Sequence, residues 1–152
     1  MTETYSQIFI QIVFWVKCSK NEIPQENLQE LFEYIAGIIR NKGQKPIIVG
    51  GISNHVHVFI GLKPSATVSA IVRDIKNNST NFINEKHWLT EKFAWQNGFG
   101  SFSYSNSQVE RVYNYIKNQA EHHRKKTYKE EYIEFLEKFN VKYNAKYLPT
   151  QE

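Results

Sequence analysis

The hydrophobic pattern of this chain predicts four strands. Residues 7–17 are apolar at nearly every position, which is typical of a central strand buried on both faces. Residues 46–53 and 55–62 are separated only at Ser53-Asn54, so they are predicted to form a hairpin, and Gly50 and Gly51 near its turn indicate a bulge or a close approach to another element. A fourth strand is predicted over about 93–104, interrupted by Gly98 and Gly100.

Apolar residues spaced three and four apart predict helices over 24–43, about 67–84, about 107–126 and 128–139. The third helix is expected to begin at a capping box of Ser107 and Glu110. The resulting order, β-α-β-β-α-β, is the split-βαβ pattern of an α+β, ferredoxin-like fold. We therefore expect one domain over residues 1–152. It would hold an antiparallel sheet with helices on one face, extended by C-terminal helices.

Within the hairpin, the segment His55-Val56-His57 carries candidate metal ligands. Side chains alternate along a strand, so His55 and His57 share one face with Phe59, while Val56 and Val58 can enter a core. Two imidazoles at this spacing can reach one divalent ion. A His-x-His pair is weak evidence alone, and the ordinary alternative is two histidines on a solvated strand.

The third helix supplies possible partners for the histidine pair. At 100° per residue, one stripe is predicted to be buried and contains Val109, Val112, Tyr113, Ile116 and Ala120. Tyr115, Gln119 and His122 form a second stripe beside it. A phenolate is a good nucleophile towards phosphorus and a good leaving group, and a metal ion could polarise a phosphate beside it. Tyr113 is the rival nucleophile.

Composition bears on partners and compartment. The formal net charge is +4 at pH 7, which favours nucleic acid only slightly, and a basic run lies at His122, His123, Arg124, Lys125 and Lys126. These residues, with Lys17, Arg73 and Lys76, are candidate DNA contacts, although cations at a helix C-terminus are also favoured by the helix dipole. A single cysteine, the absence of an 18-residue apolar run and the absence of an evident signal peptide lead us to expect a cytoplasmic protein.

Taken together, these motifs resemble the single-tyrosine HUH transposases of small bacterial insertion sequences, including REP-associated tyrosine transposases. The likeness rests on 55–57, on the tyrosine and glutamine of 115–119, and on 73–76, 95–98 and 121–126, and it extends over about residues 8–148. It implies that His55, His57 and Gln119 hold Mg²⁺ or Mn²⁺ and that Tyr115 is the nucleophile. Such proteins cut and rejoin single-stranded DNA, marked by imperfect-palindrome hairpins, through a 5′-phosphotyrosine. They typically work as homodimers with shared active sites.

Two other functions stay open at this level. A domesticated REP-associated enzyme, or a replication or conjugation nickase, would use the same residues on different DNA. A non-catalytic RRM-like binder of single-stranded nucleic acid shares the ferredoxin-like sheet but would leave the two histidines unexplained.

Overall fold

A computed structural model describes residues 4–123 and 125–149. Its strands are β1 Phe9–Trp15, β2 Lys45–Ile52, β3 His55–Gly61 and β4 Gly100–Tyr104. Its helices are α1 Leu28–Asn41, α2 Val68–Lys86, α3 Val109–Lys117, α4 Gln119–His122 and α5 Tyr128–Lys138. None of the helices in these two ranges is long and apolar enough to cross a membrane.

The four strands form one antiparallel sheet in the order β2-β3-β1-β4. β3 and β1 are therefore the central strands, and His57 lies opposite Val13 on β1 and Gly50 on β2. This arrangement confirms the predicted ferredoxin-like fold and places both histidines on a central strand, near its first residue.

Each face of the sheet is covered by helices. One face carries Val56, Val58 and Ile60 and packs against α1 and α2 in the larger hydrophobic core. The opposite face carries His55, His57 and Phe59; Phe59 packs against Val112 and Ile116 of α3. On that same face, α5 contributes Tyr132 and Leu136 to a cluster with Val13, Trp15 and Phe102. The helix layer over the histidines thus consists of α3, α4 and α5.

The predicted strand over 93–104 is wrong in its first half. Only Gly100–Tyr104 pairs continuously with β1, and the earlier part reaches the sheet by one isolated bridge between Val16 and Trp95. The left-handed backbone of Gly98, with φ +91°, separates the two parts. Trp95 is buried, and its indole Nε1 donates to Ser79 Oγ at 2.9 Å.

The prediction of one continuous helix over 107–126 is also wrong, because the helix is interrupted at Asn118. Asn118 has φ −101° and ψ 27°, so α3 ends at Lys117 and α4 begins anew at Gln119. Rotation at this break leaves Ala120 exposed, and Tyr113 is 38% exposed although both were predicted to be buried. The capping box is formed by Ser105 and Gln108 rather than by Ser107 and Glu110.

Gly50 sets the distance between α3 and the sheet. A Cβ at this position would lie 2.8 Å from Ile116 Cγ2 and 2.9 Å from the Ile116 carbonyl oxygen. The close approach expected at the glycine pair is therefore made by α3, the helix that carries Tyr115. At Gly51 a Cβ would lie 2.3 Å from the backbone oxygen of His55, at the start of the histidine strand.

Candidate metal centre and nucleophile

Each of the two strand histidines is oriented by a side-chain amide oxygen that contacts its Nδ1 atom. His55 and His57 are 1% and 0% exposed, and their ring centroids are 5.0 Å apart. Nδ1 of His55 lies 2.8 Å from Asn54 Oδ1, and Nδ1 of His57 lies 2.7 Å from Gln11 Oε1. Because amide oxygens only accept, each Nδ1 carries the proton, and in each neutral ring Nε2 offers a lone pair to the other side.

A carboxylate that the sequence prediction missed meets both rings. Glu131 on α5 is 3% exposed, and its Oε1 lies 3.3 Å from His55 Nε2 and 3.1 Å from His57 Nε2. One ligand atom from each of the three residues falls within 4.8 Å of the others. His55, His57 and Glu131 could therefore hold a metal ion. The available signal was a charged residue on the apolar face of α5, between Tyr128 and Phe135.

Gln119, predicted as a ligand, faces the same point. Its Oε1 lies 3.0 Å from His55 Nε2, while its Nε2 donates to Glu131 Oε2 at 3.0 Å. Because the helix is interrupted at Asn118, α4 begins at Gln119. The Gln119 side chain lies against the histidines, and the residue is 1% exposed.

The donor set has the chemistry of a cation site. Unprotonated Nε2 atoms of His55 and His57 meet Oε1 of Glu131 and Oε1 of Gln119, so buried lone pairs converge from four side chains. Such a convergence is unfavourable unless a proton or a cation lies among the acceptors. A divalent ion fits this set, because imidazole nitrogen and carboxylate oxygen are its usual protein ligands.

Tyr115 on α3 adjoins this centre. Its hydroxyl donates to Glu131 Oε2, and its ring lies edge-on to His57 with centroids 6.0 Å apart. The ring of exposed His122 lies 4.5 Å away by centroids. The Tyr115 hydroxyl and the two strand imidazoles therefore meet on one carboxylate.

Burial and the Glu131 charge shift the pKa values of this cluster. Burial lowers the pKa of His55 to about 4, opposed by the adjacent Glu131 carboxylate and assisted by the neighbouring His57. Burial raises the pKa of Tyr115 above its ordinary 10.0, and the adjacent Glu131 carboxylate raises it further. Burial alone would raise the pKa of Glu131, but the imidazoles of His123, His55 and His57 beside its carboxylate hold the pKa below its usual range.

The residues predicted to contact DNA differ in their exposure and in their contacts within the protein. Lys17, Arg73 and Lys125 are exposed, and Arg124 lies outside the described residues. The Lys76 ammonium donates to the carbonyl oxygens of Gln96 and Gly98, at 2.9 and 2.6 Å. It therefore braces the 96–98 loop. His123, predicted as a DNA contact, lies against Glu131 and Gln119.

A cavity of about 190 Å³ opens beside Tyr115. Its lining includes Tyr115 and Glu131, the aromatic rings of Phe135 and Tyr104, and exposed Arg111. The Tyr115 side chain is therefore accessible from this cavity.

Residues 4–119 match the family model described as "Transposase IS200 like". This match covers well over half of the chain, and the chain belongs to the IS200-like transposase family. The matched segment ends at Gln119, so Glu131 lies beyond it. No curated protein matches the chain.

Two solved structures share the fold. A transposase candidate from Deinococcus radiodurans R1 superposes with a TM-score of 0.59 at 16% identity, covering 78% of this chain and 98% of that one. A REP-associated tyrosine transposase bound to a REP hairpin gives a TM-score of 0.57 at 15% identity, covering 81% of this chain and 74% of that one.

Proposed function

We propose that this protein cleaves and rejoins single-stranded DNA through a covalent 5′-phosphotyrosine at Tyr115, with a divalent ion at His55, His57, Glu131 and Gln119. The observation that carries the proposal is the shared carboxylate. Oε2 of Glu131 accepts a hydrogen bond from the Tyr115 hydroxyl, and Oε1 of the same carboxylate contacts both strand imidazoles.

In this mechanism Glu131 takes the proton of Tyr115 as the phenol oxygen attacks the scissile phosphorus. The P–O bond to the preceding nucleotide breaks, its 3′ oxygen takes a proton from water and leaves as a 3′-hydroxyl, and the 5′-phosphate becomes bonded to Tyr115. Rejoining reverses these steps, with a 3′-hydroxyl attacking the phosphotyrosine and the proton returning to the phenol. When bound, the divalent ion, Mg²⁺ or Mn²⁺ by family resemblance, polarises the phosphate and stabilises its developing charge.

The proposed substrate is DNA whose ends fold into imperfect-palindrome hairpins. The family supports a DNA substrate, and one structural neighbour was solved bound to a REP hairpin. Lys17, Arg73 and Lys125 are exposed cations that could contact phosphates, which position a strand without reading its sequence. The DNA-contact role of Lys76 and of the basic run after His122 stays a prediction.

A homodimer with shared sites also stays a prediction. Within one chain, Tyr115 already contacts Glu131 and lies beside His57. Exchange of tyrosine helices between subunits would therefore require α3 to leave its own histidines.

The same site would serve a domesticated REP-associated enzyme or a replication or conjugation nickase, which differ in their DNA. An RRM-like binder is disfavoured, because it has no use for a buried set of metal ligands beside a tyrosine.

A covalent-trap assay tests the proposal. End-labelled oligonucleotides from both strands flanking the gene are mixed with protein and Mn²⁺ and run on a denaturing gel. We expect a strand-specific shifted band for the wild type, none for Tyr115→Phe, and a retained band for Tyr113→Phe, the neighbouring tyrosine of the same helix. A band that survives in Tyr115→Phe would contradict the assignment.

A further inference from the structure

His123 lies against the proposed metal ligands. It directly follows α4, its side chain is 6% exposed, and its ring centroid is 4.6 Å from that of His55. Its Nε2 lies 3.3 Å from Glu131 Oε1 and 3.1 Å from Gln119 Oε1. The imidazole thus faces the same two oxygens that His55 faces.

The protonation of His123 is fixed in the same way as that of the strand histidines. Nδ1 of His123 lies 2.7 Å from the backbone carbonyl oxygen of Lys126. A carbonyl only accepts, so Nδ1 carries the proton and Nε2 of the neutral ring is a bare donor atom. An imidazole whose outer N–H is held by a carbonyl oxygen and whose inner nitrogen faces acceptors is in the usual arrangement of a metal-bound histidine.

We propose that His123 is a third imidazole ligand beside His55, His57, Glu131 and Gln119, and that the added imidazole makes the centre favour a transition-metal ion such as Mn²⁺, Co²⁺ or Zn²⁺ over Mg²⁺. The selectivity follows from the ligand types. Imidazole binds transition ions well, whereas Mg²⁺ prefers oxygen ligands and keeps several waters. This inference deepens the proposed function, because the same ion would serve Tyr115, but metal binding can be measured without DNA.

The ordinary alternative is that His123 is a charged partner that only neutralises Glu131. It would then hold α5 in place without contributing a ligand atom. The two roles differ in whether deletion of Nε2 alone changes the coordination of the ion.

The test is a titration of the metal-free full chain with Co²⁺, followed by visible absorption, with Mg²⁺ as competitor. The informative variant is His123→Asn, whose amide can keep the donor to the Lys126 carbonyl while Nε2 is removed. The matched control is His87→Asn, at an exposed histidine with φ 55°, a left-handed conformation that Asn tolerates.

We expect wild type and His87→Asn to bind Co²⁺ with the same spectrum, undisturbed by a hundredfold excess of Mg²⁺. His123→Asn should bind Co²⁺ more than about tenfold more weakly, since loss even of an outer partner of a ligand costs about 10–100-fold. Its absorption bands should also shift. An unchanged spectrum and affinity in His123→Asn, or displacement of Co²⁺ by that excess of Mg²⁺, would overturn the inference.

A second measurement covers the case in which His123→Asn fails to fold. Two-bond ¹H–¹⁵N imidazole NMR of the wild type, with and without Zn²⁺, should show Nε2 of three histidines changing on metal addition, with His87 unaffected. A change at two histidines only would overturn the third ligand. If DNA cleavage is absent while Co²⁺ binding follows the expected pattern, the proposed function fails and the metal centre stands.

Discussion

The Tyr115 hydroxyl donates to Oε2 of Glu131, although the two residues lie on different helices, sixteen positions apart. The other oxygen of the same carboxylate lies 3.1 Å from His57 Nε2. Glu131 thereby connects the proposed nucleophile to the proposed metal ligands and can serve both.

Glu131→Gln should impair both metal binding and cleavage. The substitution keeps the shape of the side chain but removes the charge that attracts an ion and the base that accepts the tyrosine proton. We expect cleavage to fall at least about 100-fold, the lower range for loss of general-base catalysis. Single-turnover cleavage and Co²⁺ titration measure the two effects. Exposed Glu137 on the same helix gives the control variant Glu137→Gln, and equal loss in both variants would contradict a specific role for Glu131.

Tyr115 should stay protonated at high pH in the metal-free protein. A raised pKa means that the neutral phenol persists above pH 10, where an ordinary tyrosine is half ionised. The difference in 295 nm absorbance between wild type and Tyr115→Phe should therefore show no phenolate up to pH 10.5 in the presence of a chelator. Addition of a divalent ion should lower the pKa. A phenolate signal centred at pH 10 without metal would refute the burial of this hydroxyl against Glu131.

Gly50→Ala should weaken the packing of α3 against the sheet. The added methyl would overlap Ile116, and overpacking of this kind costs about 1–3 kcal/mol. Urea denaturation measures the loss in free energy of unfolding. The rate of DNA cleavage should fall as well, because Tyr115 is adjacent to Ile116. Gly37→Ala is the control, since a Cβ there has nothing within 4 Å and a helical Gly→Ala change is worth about 0.5–1 kcal/mol in favour of folding. Equal effects at both glycines would contradict the close contact.

The sequence predicted the first three strands of the sheet and the last part of the fourth, and it placed the two histidines on one strand face. Strand alternation predicts that His55 and His57 share a face, and this relation holds because it depends only on local geometry. Tyr115 and Gln119, predicted to share a stripe of one helix, both contact Glu131 but lie on either side of the break at Asn118. The family resemblance supplied the link between the strand and the helix. Their roles in metal binding and catalysis stay predictions.

The contribution of α5 could not be predicted in the same way. Glu131 reaches the histidines only because α5 packs on the sheet, and His123 reaches them because it follows α4. A charged residue on the apolar face of α5 was the one local signal, and it does not name the partners of Glu131. The break at Asn118 was likewise missed, since its sequence continues an amphipathic helix without Gly or Pro. These are the places where packing on the sheet, rather than local preference, decides the backbone.

The central claim is that DNA becomes bonded to Tyr115, and mass spectrometry of the trapped complex tests it most directly. After nuclease and trypsin digestion, the expected adduct lies on residues 112–117, which contain both Tyr113 and Tyr115. Fragmentation of this peptide separates the two. We predict a nucleotide phosphate on Tyr115 alone, dependent on divalent metal. A phosphate on Tyr113, or on a peptide outside 112–117, would contradict the account.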